Sequence, residues 1–357
     1  MHPDSVTIAA ARKFYMDHHA NRIRSTASAK RAFALVLQYL DAVGVSDGAP
    51  KVGDFTVARQ DGFMRWCRDQ GLSGKSISTY LSYYKAGLKF ASIPRLITDA
   101  RGVEREAQIL SFVPHVNDGE EYVSKITGLK RSKPRDWIPN DAELAAFIDA
   151  IEHEHVFRYV MLALNTWARP EAICELNVAK QADFQRRRIS LNPPDRVQNK
   201  KVRPTIPMTD NLFGWLKTWN REFPIHDKHG ECIGEINNRT LKKAATRAGV
   251  EAKAFTRYTL RHYMATRIRR VEGCPVSREE RAAWLGHTDP NHRTTEAWYE
   301  SLDADYLLGA KQATDGLIVA LSRLCKVRSL IPPMMQHRSG LMVIERTQDA
   351  EVKKDTG

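Results

Sequence analysis

The sequence predicts a mainly α-helical protein with a small antiparallel β-sheet, built as a helical domain followed by a larger α+β domain. Three observations lead there. Apolar residues recur at helical spacing through residues 1–95. Around 188–208 the period changes, and two short strand-like runs flank a basic tip. Between the two regions lies a basic stretch rich in turn residues. The expected organisation is a helical domain over 1–95, a basic linker over 96–136, an α+β domain over 137–325 and a polar tail over 326–357.

Composition narrows the function classes. The chain has 357 residues, 42% of them apolar, and a formal net charge of +13. That apolar share supports an ordinary packed core. The cationic surplus favours a polyanionic partner, nucleic acid ahead of an anionic membrane. Cys67, Cys174, Cys232, Cys274 and Cys325 are scattered and form no C-x-x-C pair. Such a set suits reduced thiols in a cytosolic setting. No apolar run reaches the roughly 18 residues that a membrane span needs, and the N-terminus has no signal-like apolar core. His153 and His155 do not share a helix face, and no His or Cys spacing suits a metal, so none is expected.

In the first domain, Ile8, Ala11 and Tyr15 mark a helix over 7–19. Phe33, Val36, Leu37, Leu40 and Val43 mark a second, stopped by Gly44. A third covers 57–69 with Phe63 and Trp66 inward. A fourth starts near Ser73 and turns Ile77, Leu81, Tyr84 and Leu88 inward. Its other face carries Lys75, Ser78, Thr79, Ser82 and Lys85, groups that can meet phosphate oxygens. A solvated face fits that pattern at least as well. A short helix is expected over 101–112. Pro114, Gly119, Lys125, Lys130, Arg131 and Lys133 then read as linker, either solvated or laid along DNA.

In the second domain, Asn140 or Asp141 caps a helix over 142–151, and 156–167 reads as a buried helix. Pro170 suits a first helical turn, which puts Arg169 at a junction where free N–H groups can meet an anion. Strands are expected over 188–192 and 203–208, the second an edge strand because of Pro204 and Pro207. The tip between them holds Arg196, Lys200 and Lys201. Thr209 or Asp210 caps a helix with Leu212, Trp215, Leu216 and Trp219, and 238–248 is a helix stopped by Gly249. Leu260, Met264 and Ile268 line a helix over 258–271. A capping box over 277–280 opens the next helix, and Gly286 closes it and turns His287 outward. Thr294 or Thr295 starts a short helix carrying Tyr299, and 307–324 is amphipathic.

Arg169 in A-R-P-E-A-I-C-E-L, Arg261 in Y-T-L-R-H, His287 in L-G-H and then Tyr299 follow one another, with the basic hairpin between the first two. This series resembles the active site of the tyrosine recombinase (phage integrase) family over roughly 137–324. The N-terminal helical unit is similar in kind to that family's core-binding domain. The resemblance implies phosphodiester cleavage. Two arginine forks match the non-bridging oxygens and stabilise the pentavalent transition state. His287 adds a hydrogen bond, and Tyr299 forms a covalent phosphotyrosine, so neither ATP nor any cofactor is needed. Tyr306 is the rival nucleophile. Lys200 protonates the leaving 5′-oxygen, with the adjacent Lys201 as fallback.

The sequence departs from the family at two places. Tyr258 stands where the family usually has His or Lys, and a phenol is a poorer base near neutral pH. Ala172 stands where an acid is frequent, with Glu171 one position earlier. His262 is read as a buried supporting residue. The expected DNA contacts are Lys75, Ser78, Thr79, Lys85, Lys130, Arg131 and Lys201. The implied partners are double-stranded DNA and three further copies, a homotetramer on two DNA sites; an accessory DNA-bending protein is left open, and no membrane is involved. The implied location is the cytoplasm, on the nucleoid. A non-catalytic DNA-binding protein on the same scaffold and a type IB-like topoisomerase are the alternatives. The 307–324 helix either completes its own domain or docks on a neighbouring subunit.

Overall fold

The computed structural model describes residues 1–19, 25–45, 48–98, 102–132, 137–198, 201–271, 276–287 and 307–336. The chain divides into two compact units, Met1–Pro134 and Arg135–Gly357.

The first unit is built on α1 (Ile8–His19), α2 (Thr26–Ala42), α3 (Val57–Asp69) and α4 (Gly74–Ala91). Ser25, Thr56 and Ser73 cap the last three, each side chain accepting the N–H three residues on. Helices α2 and α4 pack closely because position 87 lacks a side chain: a Cβ there would stand 2.5 Å from the Phe33 ring. Phe33, Phe63, Ile77 and Leu81 are fully buried between the helices.

The stretch expected as a linker belongs instead to this unit, as far as its residues are described. β1 (Arg95–Thr98) pairs antiparallel with β2 (Glu104–Ala107), Arg95 opposite Ala107. A helix was expected there. The run Glu104–Ala107 has no apolar stripe to bury, so pairing with the adjacent strand overrides its helix propensity. Helix α5 (Glu120–Thr127) follows, and Leu110, Val116 and Val123 are all buried in the first core. The buried Gln60 side chain donates to the His115 carbonyl and accepts from the Asn117 N–H. A few apolar anchors set in a polar run hold the segment down, and composition alone does not display them.

The second unit opens with α6 (Asp141–Asp149), where Asn140 and Glu143 form a reciprocal capping box. α7 (Glu154–Thr166) is buried on nearly every side. Then come α8 (Pro170–Cys174), α9 (Val178–Gln181) and the strands β3 (Ala182–Asp183), β4 (Arg188–Ser190) and β5 (Thr205–Pro207). The sheet is antiparallel in the order β3-β4-β5, with Ile189 opposite Ile206; β3 had not been foreseen. Among the described residues, helices α10 (Asp210–Trp219), α11 (Asn238–Arg247), α12 (Thr259–Arg267), α13 (Arg278–Leu285) and α14 (Leu308–Ser322) follow. The fold is thus mainly α with small antiparallel sheets, as expected.

Helix α14 completes its own unit, burying Ala310, Ala313, Leu317, Ile318 and Leu321. Leu308 and Leu324, within the stretch expected to be amphipathic, are exposed. Ser277 caps α13 as expected, but the buried Glu280 does not reach back to it. Its carboxylate accepts the Ala310 N–H at 2.5 Å and so caps α14. Residues 326–336, expected to be part of a polar tail, dock on the unit. Asp149 accepts the N–H groups of Lys326, Val327 and Arg328. The Leu330 carbonyl accepts from Asn211 Nδ2 and Trp215 Nε1. The remainder of the expected tail, 337–357, lies outside the described residues. Among the described residues no helix is long and apolar enough to cross a membrane.

Candidate active site

The site grows from three helix ends. Helix α7 stops at Trp167, whose backbone is left-handed with φ 50°. A bulky residue there is strained by about 1–3 kcal/mol. Burial of the indole against Trp284, ring centroids 4.9 Å apart, offsets that cost. The turn delivers Arg169, in extended conformation, to the cap position ahead of Pro170. The Arg169 guanidinium donates to the Val202 carbonyl at 2.8 Å, on the arm of the basic loop that leads into β5. That arm is also tied to α8 by an ion pair, Arg203 to Glu175 at 2.7 Å.

Arg261 lies in the first turn of α12 and is only 8% exposed. It donates Nη1 to the Trp167 carbonyl at 2.6 Å and Nη2 to the Leu285 carbonyl at 2.8 Å. Nη2 is also 3.2 Å from His287 Nε2. An arginine donates at that contact, so Nε2 accepts and the ring proton is assigned to Nδ1. Gly286 makes the last approach possible. With φ 62°, it closes α13 in the left-handed region. A Cβ there would fall 2.3 Å from the Val202 carbonyl oxygen. The loop arm, Arg169, Arg261 and His287 therefore form one assembly.

Electrostatics follow from that crowding. Burial and the neighbouring Arg169 lower the Arg261 pKa to about 10, while Tyr258 and Glu171 oppose the shift. Arg261 stays charged at neutral pH. Burial, Arg261 and Arg169 all push the His287 pKa below its ordinary value. A neutral imidazole beside two fixed cations results. The arrangement offers positive charge and hydrogen-bond donors to a tetrahedral or pentavalent anion.

Tyr258 caps α12, and its hydroxyl donates to the Glu171 carboxylate at 3.2 and 3.3 Å. Glu171 was visible in sequence only as an acid one position early. Ala172, at the expected acid position, is 2% exposed and faces the core, so an acid there would be buried. His262 corrects an expectation: it is exposed rather than buried. Lys200, Tyr299 and Tyr306 lie outside the described residues. Lys201 is described and exposed. Among the described residues no group of His, Cys, Asp or Glu could hold a metal ion.

The expected DNA contacts of the first unit fare unevenly. Ser78 is buried, and its hydroxyl donates to the Asp118 carbonyl at 2.6 Å, so it is not on an open face. Lys85 donates to the Asp118 carboxylate at 2.8 Å, and Lys75 lies 3.5 Å from Glu120. The segment read as linker covers part of that helix face, which the periodicity of α4 could not reveal. Thr79 is half-buried and donates to the Lys75 carbonyl. Lys130 and Arg131 are exposed, Arg131 lying 3.5 Å from Glu121.

Residues 140–304 match the phage integrase family. The Tn1549 transposon integrase in complex with transposon right end DNA is similar in fold, at 14% identity and a TM-score of 0.53, over 83% of this chain and 98% of that one. The same integrase in a circular-intermediate DNA complex gives 15% identity and a TM-score of 0.55, over 84% of this chain and 100% of that one. A lambda integrase tetramer bound to a Holliday junction gives 16% identity and a TM-score of 0.51, over 81% and 80%. No curated protein sequence matches.

Proposed function

We propose, from the premise that residues 140–304 form a phage integrase domain of the tyrosine recombinase family, that this chain is a site-specific DNA recombinase. It cuts and rejoins DNA through a covalent 3′-phosphotyrosine intermediate, in the integration or excision of a mobile element. The observation that carries the proposal is the gathering of Arg169, Arg261 and His287, remote in sequence, around the carbonyls of Trp167, Val202 and Leu285. Those groups bind the scissile phosphate, and the fixed guanidinium charge is worth most as the transition state develops. Tyr299 is the nucleophile on the strength of its sequence position. Its oxygen forms the new bond to phosphorus as the bond to the 5′-oxygen breaks, and Lys200, or Lys201 beside it, returns a proton to that oxygen.

The partner is double-stranded DNA, held by backbone contacts whose strength falls with salt. Lys75, Lys85, Lys130, Arg131 and Lys201 are the exposed candidates for those contacts. Four copies act on two sites. The lambda integrase tetramer on a Holliday junction supports that assembly by analogy of fold. Such a reaction belongs in the compartment that holds the DNA, the cytoplasm of a cell without a nucleus.

A duplex nicked near a binding site traps the intermediate. Incubation with it should give a denaturant-resistant protein–DNA adduct, and Tyr299→Phe should abolish the adduct while leaving binding intact. An adduct that survives Tyr299→Phe removes Tyr299 as nucleophile. Binding with no adduct from the unaltered chain favours a non-catalytic DNA-binding role.

A further inference from the structure

The phenol at position 258 raises a chemical difficulty that the geometry resolves. A neutral phenol is a poor acceptor of a proton near neutral pH, because its conjugate acid is very strong. It becomes an effective relay when its own proton has somewhere to go. The Tyr258 hydroxyl points at both carboxylate oxygens of Glu171, at 3.2 and 3.3 Å. That contact puts an acceptor within reach of the phenolic proton. Both distances exceed an ordinary O–H···O bond of about 2.7–2.8 Å, and hydrogen bonds of this kind commonly tighten only when substrate is bound.

We propose that Glu171 and Tyr258 form a carboxylate-backed proton relay that serves as the general base of strand cleavage. This rests on the recombinase reading above. As the attacking hydroxyl oxygen bonds to phosphorus, its proton passes to the Tyr258 oxygen. The Tyr258 proton passes at the same time to a Glu171 carboxylate oxygen. The bond from phosphorus to the leaving oxygen breaks, and that oxygen takes its proton from a separate donor. No proton or electron pair is left over, and no cofactor enters. In the reverse, rejoining step Glu171 returns the proton by the same route. Glu171 acts through Tyr258 and is a positioning residue.

The surroundings support this use of Glu171. It is exposed on the first turn of α8, with Arg169 two residues before it, so its role is not to fill the core. Among the described residues it interacts electrostatically with Arg261 of α12, Tyr258 at the cap of that helix, Tyr159 of α7 and Cys174 on its own helix. Arg257 lies close to Tyr159 and Cys174 and is engaged by Glu235. The Arg261 guanidinium lies within electrostatic reach of the carboxylate. Among the described residues, two histidines are the alternatives for a base, and both are weaker candidates. His287 accepts from Arg261 through Nε2, and His262 is one residue removed from the site arginine on an exposed helix face.

The test is the single-turnover rate of adduct formation on the nicked duplex, followed against pH. E171Q keeps shape and hydrogen bonding but cannot take up the proton. It should slow adduct formation by about a hundredfold, the scale of lost general-base catalysis. The decline in rate toward acid pH should flatten with it, while duplex affinity is unchanged or tighter. E171D should recover part of the rate. Y258F should show a similar loss, and the double variant should be no worse than the slower single one, as for groups acting as a unit. Thermal melting of E171Q at the unaltered temperature shows that the fold is intact. An E171Q protein with unaltered rate and acid limb overturns the relay, as do losses that simply multiply in the double variant. Absence of any adduct from the unaltered protein overturns both the relay and the recombinase reading; an adduct indifferent to Glu171 overturns the relay alone.

Discussion

Arg169 donates to the carbonyl oxygen of Val202, 2.8 Å away, so a side chain at the head of α8 fixes the arm of a loop thirty-three positions later. The same oxygen lies against Gly286. Movement of the loop and movement of the Arg169 guanidinium are therefore coupled, and substitutions on either side of that contact have consequences for both.

Gly286→Ala tests the coupling. A methyl group would meet the Val202 oxygen at 2.3 Å and the Pro204 ring at 2.9 Å, on a backbone already left-handed. The expected loss is about 1–3 kcal/mol of stability. Adduct formation should fall more steeply than stability does, because the loop arm must leave Arg169. Denaturant melts and adduct yield, measured together, check both.

Arg261→Lys should be far from conservative. The guanidinium spans the Trp167 and Leu285 carbonyls, and a lysine cannot reach both in that geometry. Leaving one buried carbonyl without a donor costs about 1–3 kcal/mol. Loss of one charge-stabilising fork should slow adduct formation by about a hundredfold or more. The measurement is single-turnover rate at saturating duplex, alongside a thermal melt.

His287 predicts a pH dependence of stability. Burial, Arg261 and Arg169 hold its folded-state pKa below the ordinary 6.5. As the pH falls below 6.5 the unfolded chain takes up a proton that the folded chain refuses. The contribution of His287 is thus fully present above 6.5 and is lost as the pH falls toward the folded value. His287→Gln should remove that part of the slope in denaturant melts between pH 5 and about 7.5. A bound phosphodiester reverses the sign, because the anion favours imidazolium, so duplex binding should take up protons in calorimetry.

Glu280→Ala should uncap α14. The carboxylate accepts the Ala310 N–H from a site only 8% exposed. A loss of about 1–2 kcal/mol is expected, and Glu280→Gln should recover part of it. Thermal melts of the two variants decide.

Much of the site was legible because its residues sit at helix ends with local signals. Pro170 announces the start of α8 beside Arg169, and Gly286 announces the turn before His287. The helices of the first unit were legible for the same reason, through the start at Ser73 and the stop at Gly44. What joins distant segments was not. The Tyr258–Glu171 contact spans 87 positions. The contact of Ser78 is with Asp118, just ahead of α5, in a stretch whose charge suggested a linker. Glu280 fits a local capping pattern yet serves another helix, since a carboxylate takes whichever free N–H packing brings to it. Strand β2 carries no alternating pattern, and its conformation comes only from its partner.

The strap over 326–336 has a consequence for where the polypeptide can be shortened. Asp149 grips three successive amide groups of the strap, and Asn211 and Trp215 both lean on the Leu330 carbonyl. A protein ending at Gln336 keeps every one of these anchors. One ending at Cys325 strips the acceptors from two buried side chains and bares the seat of Leu330, and it should come out of expression insoluble or readily digested.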